Sequence, residues 1–455
     1  MKEKLIAAGA EKLAEILLSL YESHQDLQKQ LDIIFSGLDE DPKKMLSLLK
    51  KELSFLKRST RFVDYHESDA LADRLNHLRL RIAVDLVAKS PEHARALILD
   101  FLDLHEKTLE RVDDSNGTVS DVFREACGDF GKIYAQISTL IEERVDLVFT
   151  LFMQNEYGIY DDLIAHFKDA LQEDGLYLLG QKFENALDAK NKSTVKQGLQ
   201  SIADCQKDVD AYIRSCSLSE KPYAHDHLKI AQRLIAHWRG EEALTWLNTM
   251  EIPKDHPWQE ERLSLKIQAL DLCGEYETAQ KERLDWFEKN LNADLYQQIL
   301  KHADAAFKES FQKEAIEKSF CIPQPNTGLK FLMDIQKFEE GAKFVRLKID
   351  QFNGRYYTIL RPAADILRNT DPLAATLLYR KLIEPILEDA KSKYYAYAAK
   401  DLVTCGVLSS GIETWGHHKN HDEYLHSLEE KHKKKHSFWS TYQLTFQKHT
   451  SKGKV

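Results

Sequence analysis

The sequence predicts an all-α fold, an α-solenoid of antiparallel helix pairs that follows an N-terminal helical region. Only 18 Gly and 10 Pro occur in 455 residues. Sandwiches, barrels and α/β folds need more turn residues than this, so long helices joined by short turns are favoured. Apolar residues also recur with the helical period along the chain, and small residues near the turns recur at a regular interval in its second half.

The N-terminal region shows amphipathic helices from its start. Apolar side chains fall three and four positions apart, which places them on one face of each predicted helix. Asp41-Pro42 and Ser90-Pro91 are typical helix starts, since proline at the first helical position loses no hydrogen bond. The stripes are Leu13, Ile16, Leu17, Leu20 and Tyr21; Leu46, Leu49, Leu53 and Leu56; and Ala94, Leu97, Ile98, Phe101, Leu102 and His105.

Repeat-like turns follow from about residue 222. Ala243 and Ala279 stand 36 positions apart, and Gly341 and Ala375 stand 34 apart. The interval between Ala279 and Gly341 is close to two such units. A period near 34 residues is that of the tetratricopeptide helix–turn–helix repeat, in which a small residue lets two helices approach closely. The alternative is an irregular helical bundle in which this spacing arises by chance.

Composition shifts divide the chain into three segments. We expect an N-terminal helical domain over residues 1–216, tetratricopeptide-like repeats over 217–408, and a basic, histidine-rich helix and tail over 409–455. Loops are predicted at Ser217–Lys221, Cys321–Asn326 and Ser409–Asn420, and residues 451–455 should fray.

The net charge is −10 and the pI is about 6.0. A protein that coats nucleic acid carries a broad excess of Lys and Arg, so any contact with phosphates must be local. The six cysteines form no C-x-x-C pair, which favours reduced thiols and a cytoplasmic location. The most apolar stretch, 147–153, is too short to cross a membrane, so no membrane contact is expected.

Sequence motifs for chemistry are absent. The chain has no G-x-G-x-x-G, no G-x-x-x-x-G-K-[ST] and no G-x-S-x-G. Asp113–Gly117 resembles a calcium loop but lacks its ligands, so a helix-connecting turn is the better interpretation. His417 and His421 could share a helix face and hold Zn²⁺, yet no third ligand is evident and solvated histidines are favoured. No catalytic, cofactor-binding or metal-binding residue is therefore assigned.

One concentrated positive run marks the C-terminal segment. Lysines can neutralise phosphates or an acidic protein surface, and aromatic rings can stack on bases. The alternative is a solvated helix that Phe438 and Trp439 simply dock onto the rest of the protein. A second, weaker basic strip comprises Lys50, Lys51, Lys57, Arg58 and Arg61. The candidate partner-binding residues are Lys431, Lys433, Lys434, Lys435, Phe438 and Trp439.

Several segments, taken in order, resemble an uncharacterised bacterial family of tetratricopeptide-like helical proteins. Related helical segments also occur beside SWIM-type zinc fingers in longer bacterial proteins. The resemblance implies the fold and no activity, and the zinc-finger Cys/His pattern is absent. The segments are 58–65, 110–117, 157–164, 371–375 with 378–380, and a tail with His432, Lys434, Phe438 and Trp439.

The leading functional hypothesis is a non-enzymatic helical-repeat scaffold that binds a protein partner. Stacked helix pairs present many side chains on a rigid frame, suited to an extended peptide or a helix. The alternative is a nucleic-acid-associated accessory protein, for example of a defence or mobile-element system, that uses the basic C-terminal segment. An enzyme with a site built from scattered carboxylates and histidines is a third hypothesis. No cofactor is expected, and the oligomeric state stays open.

Overall fold

A computed structural model describes residues 6, 9–23, 25–39, 41–218 and 222–452 of the chain. Within those residues the structure is all-helical and has no β-strand, which confirms the predicted fold class. One isolated parallel bridge joins Val63 and Val112. No helix in the described part of the chain is both long and apolar enough to cross a membrane.

The chain divides into two compact units. The first comprises residues 1–237 and 246–252, and the second comprises residues 238–245 and 253–455. This division does not test the predicted three segments, which stay a prediction.

The helices that precede Gly240 are short to medium in length. They are α1 (Ala10–Ser23), α2 (Gln25–Ser36), α3 (Lys43–Arg58), α4 (Tyr65–Leu80, continued by a π-helical turn at Arg81–Leu86), α5 (Pro91–Leu102), α6 (His105–Leu109), α7 (Thr118–Tyr134), α8 (Ile141–Met153), α9 (Leu163–His166), α10 (Lys168–Asn185), α11 (Lys192–Gln206), α12 (Val209–Cys216) and α13 (Ala224–Ala236).

The helices from Gly240 onward include two short 3₁₀ turns, at Ile349–Gln351 and Ser392–Tyr394. They are α14 (Gly240–Asn248), α15 (Trp258–Leu272), α16 (Tyr276–Lys289), α17 (Ala293–Lys301), α18 (Ala305–Cys321), α19 (Pro325–Asp334), α20 (Phe338–Lys348), α21 (Tyr357–Leu367), α22 (Pro372–Glu388), α23 (Tyr395–Ser409), α24 (His421–His432) and α25 (His436–Lys452).

Helices that follow one another in sequence pack as neighbours in each unit, as in the pairs α11–α12, α15–α16 and α22–α23. In the first unit an apolar core extends from Ile33 to Cys205. Some of its phenylalanines pack edge to face, as Phe130 and Phe167 do with centroids 5.1 Å apart, and others are tilted. Each fully buried ring contributes about 1.5–3 kcal/mol through removal of apolar area from water.

The predicted apolar stripes of α3 and α5 are buried for the most part, but that of α1 is not. Leu49, Leu53 and Leu56 lie in the core while Leu46 is half-buried, and the α5 residues are buried. His105 is also buried, but it begins α6, because α5 ends at Leu102. On α1, Ile16 and Leu17 are 44% and 43% exposed, because this helix packs mainly against its neighbour α2 and buries no residue completely.

Small residues at the repeat-like turns stand where helices approach closely. Ala243, Ala279 and Ala375 are completely buried. A Cβ atom added to Gly240 would come within 2.6 Å of the Cys273 sulfur, a distance that real contacts do not reach. Burial of these alanines agrees with the role predicted for small residues at the turns, and the tetratricopeptide repeat itself stays a prediction.

The predicted turns lie where the sequence placed them. Asp114 accepts hydrogen bonds from the backbone amides of Val119 and Ser120 at 2.9 Å and so begins α7, and Gly117 has a φ of 75°. The predicted loops at 321–326 and 409–420 separate α18 from α19 and α23 from α24. Residues 219–221 of the loop predicted at 217–221, and residues 453–455 of the predicted fraying end, lie outside the described residues.

Candidate functional site

A cleft of about 570 Å³ opens in the first unit, between α2, α3 and α4. We call it the basic cleft. Five basic side chains line it, against two carboxylates, so it is locally positive on a protein whose net charge is −10. The basic residues are Lys29, Arg61, Arg74, Arg81 and Arg111, and the acidic residues are Glu52 and Glu67.

The backbone bridge between Val63 and Val112 builds one wall of the basic cleft. The Val63 amide donates to the Arg111 carbonyl oxygen at 2.9 Å, and the Asp113 amide donates to the Val63 carbonyl oxygen at 2.9 Å. Asp64, the next residue, accepts from the amides of His66 and Glu67 and so begins α4. These bonds hold the segment before α4 against the segment before α7.

Three of the cleft arginines have carboxylate partners. Pairs of this kind are partly exposed, so each contributes little to stability, on the order of 0–1 kcal/mol. Their main effect is to fix the direction of the guanidinium groups. The pairs are Arg61 with Glu67 at 2.6 Å, Arg81 with Asp85 at 2.6 Å, and Arg74 with Glu52.

Arg111 differs from these three because no carboxylate among the described residues pairs with it. Its Nη1 donates to the backbone carbonyl oxygen of Arg61 at 3.1 Å. Partial burial lowers the pKa of the Arg111 guanidinium, since desolvation penalises the charged form. A half-buried guanidinium whose remaining donors have no acidic partner is suited to a carboxylate or phosphate group supplied from outside.

The floor of the basic cleft is apolar. Leu56 and Leu78 are 5% and 4% exposed, and Ile33 is also buried. Phe55 stands at the edge with 49% of its surface exposed, and the charged ends of Lys29 and Arg74 lie 5.4 and 5.2 Å from its ring centroid. The cleft can therefore hold an acidic group at its rim and an apolar side chain on its floor.

The C-terminal candidates lie in a different place, in the second unit. Phe438 is completely buried beside Tyr395, with ring centroids 5.7 Å apart. Trp439 is half-buried, and its Nε1 donates to the His432 carbonyl oxygen at 3.0 Å. The two rings therefore pack α25 onto the second unit, the arrangement that the docking alternative describes.

The lysines beside these rings differ from one another in exposure and in ion pairing. Lys431 pairs with Glu388 at 2.7 Å, which raises the pKa of Lys431 and lowers the pKa of Glu388. Lys433 and Lys434 are exposed, and Lys435 is half-buried. Whether these lysines contact a partner stays a prediction.

The histidines of this region are less solvated than expected. His432 is 7% exposed, and His418 and His421 are half-buried. Burial lowers the pKa of all three imidazoles. Across the described part of the chain, no group of three or more His, Cys, Asp or Glu side chains could hold a metal ion.

Sequence reasoning found one residue of the basic cleft, Arg61, in the weaker basic strip. It missed Arg74, Arg81 and Arg111, which belong to other segments. Arg111 is 50 positions from Arg61 and meets it only through the bridge beside Val63. A single isolated bridge has no alternating apolar pattern, so no local signal could have revealed this contact.

The protein family described as a family of unknown function (DUF6880) matches the chain over residues 1–195 and 181–441. Neither the curated proteins nor the solved structures include a match to the chain.

Proposed function

Because the chain belongs to the DUF6880 family, whose description gives no activity, we propose a function from the geometry of the basic cleft. The protein is a non-enzymatic helical scaffold that binds an acidic, amphipathic segment of a protein partner. In this proposal the helix pairs after residue 217 are tetratricopeptide-like, and the protein works in the cytoplasm. The relation to helical segments beside SWIM-type zinc fingers stays a prediction.

One observation supports the proposal most strongly: an apolar floor lies beneath a rim with excess positive charge on an acidic protein. Arg111 supplies a guanidinium that pairs with no carboxylate of the described residues, and Leu56 and Leu78 supply apolar contact area. A segment with carboxylates on one side and large apolar side chains on the other complements both features.

A protein segment fits the cleft better than a nucleic acid. Phosphates would satisfy the arginines but would leave the floor without a partner. Apolar surface near the cleft points the same way, since Ile34 lines it with 40% of its surface exposed and the neighbouring Phe35 is 50% exposed. Exposed apolar patches of this kind commonly mark protein interfaces. The C-terminal rings are poor candidates for base stacking, because Phe438 is completely buried.

A peptide-display selection against the immobilised full-length protein tests the proposal. We expect the enriched peptides to combine two or more acidic residues with large apolar ones. Their binding should weaken about tenfold in Arg111→Glu, since a repulsive contact replaces an attractive one. Arg124→Glu is the matched control: Arg124 pairs with Asp121 on α7 and does not line the cleft.

Two results would count against the proposal. One is enrichment of peptides without acidic residues, or peptides that bind Arg111→Glu as tightly as the unchanged protein. The other is binding of a fluorescent single-stranded oligonucleotide that is tighter than binding of the best peptide and is lost in Arg111→Glu. That second result would assign the cleft to nucleic acid.

A further inference from the structure

Arg380, on α22 in the second unit, is a buried guanidinium without an anionic partner. It is 5% exposed. Its Nη1 donates to the Lys419 carbonyl oxygen at 2.7 Å, and its Nη2 donates to the Asn420 carbonyl oxygen at 3.2 Å. Its Nε has no partner, and no carboxylate of the described residues forms an ion pair with it. Two neutral oxygens thus face a full positive charge.

Two aromatic rings enclose the Arg380 guanidinium. Its central carbon lies 4.9 Å from the ring centroid of Trp415 and 4.3 Å from that of Tyr424. Cation–π attraction offsets part of the desolvation cost. Burial nevertheless lowers the pKa of Arg380, so the rings and carbonyls do not compensate the charge fully.

Buried polar atoms without partners concentrate around Arg380. Within the described residues, 11 buried side-chain nitrogen or oxygen atoms have no hydrogen-bond partner. Four belong to Arg380 and to three residues that interact electrostatically with it, and a fifth belongs to Thr376, one helical turn before Arg380 on α22. Such atoms are costly to bury without a partner, so together they offer hydrogen-bonding groups that a polar ligand could satisfy. They are Thr376 Oγ1, Arg380 Nε, His418 Nε2, His421 Nδ1 and the Tyr424 hydroxyl.

The chemistry of these atoms favours an acceptor-rich ligand. Arg380 Nε can only donate, the two hydroxyls can donate, and His421 Nδ1 can donate in the right tautomer, whereas neutral His418 already donates to the Arg346 backbone and leaves Nε2 an acceptor. A carboxylate or phosphate group offers only acceptors and a negative charge, which matches this set.

A second buried arginine gives the contrast. Arg283 is 2% exposed and also has unpartnered nitrogens, but its guanidinium pairs with Asp271. Arg283 therefore has an anionic partner within the protein, whereas no carboxylate of the described part of the chain pairs with Arg380. Of these two arginines, Arg380 is the one that could bind an anion supplied from outside.

An open cleft of about 770 Å³ adjoins this neighbourhood in the second unit. Trp415 and His418 line that cleft, and Trp415 also covers Arg380. The segment that carries these two side chains therefore separates the Arg380 guanidinium from the cleft.

We propose that Arg380, Tyr424 and Thr376 form a binding site for a small oxyanion, the carboxylate or phosphate group of a small molecule. The guanidinium supplies charge and a free N–H, and the two hydroxyls supply neutral donors. The site is independent of the basic cleft, because it lies in the other unit and shares no residue with it.

The test is the melting temperature of the full-length protein in sodium phosphate, sodium acetate and sodium chloride at equal ionic strength and pH 7.5. Binding to the folded state raises the melting temperature by mass action. We expect phosphate or acetate to raise it above its value in chloride, and the more effective salt identifies the group. The rise should persist in Arg111→Glu, which removes any contribution of the basic cleft.

Variants at the site make the result specific. Arg380→Met should abolish the rise. Tyr424→Phe keeps the ring on Arg380 and removes only the unpartnered hydroxyl, so the anion should bind about tenfold more weakly while stability in chloride is unchanged or higher. Tyr397→Phe, at a residue that is 58% exposed, is the control.

Two outcomes would overturn the proposal. No rise in either oxyanion over chloride would mean that water alone occupies the neighbourhood. A rise that Tyr424→Phe leaves unchanged would place the anion elsewhere, and this comparison decides the matter even if Arg380→Met fails to fold.

Discussion

Replacing Phe438 by alanine separates the two interpretations of the C-terminal segment. If the ring docks α25 onto the second unit, its loss removes a completely buried side chain from the cluster that contains Ile383, Leu387 and Leu402. If the ring is reserved for a partner, its loss costs the isolated protein little. The docking interpretation therefore predicts a large loss of stability for this substitution, and the partner-binding interpretation predicts a small one.

The expected cost follows from this burial. A Phe→Ala change at a fully buried site destabilises by about 3–5 kcal/mol, the sum of lost transfer energy and the cavity left behind. The ring also contacts Tyr395 and Trp439, with centroids 5.7 and 4.9 Å away, so neighbouring aromatic contacts are lost as well. We expect a value near the lower bound, about 3 kcal/mol, because the surrounding side chains can relax to fill part of the space.

Urea unfolding followed by tryptophan fluorescence, with hydrogen exchange of the α25 amides, measures the loss both globally and locally. Phe446→Ala on the same helix is the matched control, since Phe446 is 48% exposed and its loss should cost less than about 1 kcal/mol. A cost below about 1 kcal/mol for Phe438→Ala, with unchanged exchange of α25, would refute the docking interpretation.

Three further predictions concern pH, packing and thiols. Burial lowers the folded-state pKa of His418 and His421. As the pH falls, the unfolded chain therefore takes up protons at these histidines before the folded protein does. Their contribution to stability is full above about pH 6.5 and falls as the pH drops below it. Melting curves from pH 5 to 8 should show a weaker decline in His418→Gln/His421→Gln. Gly240→Val should cost about 1–3 kcal/mol in urea unfolding, because its Cβ would clash with the Cys273 sulfur; an unchanged midpoint would contradict this packing. The exposed Cys321 should be the first thiol of the folded protein to react with a disulfide reagent, and Cys321→Ser should remove that fast phase.

The fold was predictable because its signals are local. Helical periodicity, the proline starts and the Asp114 turn each depend on residues a few positions apart, and the structure contains the corresponding helices and turns. The exposure of Ile16 and Leu17 was not predictable, since an amphipathic stripe indicates a helix but not whether a neighbour covers its apolar face.

The candidate sites depend on distant contacts, which explains why the sequence indicated them only in part. Arg61 was found because other basic residues stand near it, whereas Arg111 reaches it across a bridge. Arg380 lies in a segment that carries the family resemblance, but nothing in the sequence indicated a binding role for it. Only the structure shows that Trp415 and Tyr424 enclose its guanidinium and that no carboxylate of the described residues pairs with it.

The most direct test of the central claim, that the basic cleft binds an acidic protein segment, is site-specific photocrosslinking in the native cell. A photoreactive phenylalanine at Phe55 stands at the edge of the cleft, and one at Tyr177, which is 63% exposed outside it, is the control. We predict a protein adduct at Phe55, mapped to an acidic, amphipathic segment, that disappears in Arg111→Glu and is absent at Tyr177. An adduct to nucleic acid, or a protein adduct that Arg111→Glu leaves undiminished, would contradict the account.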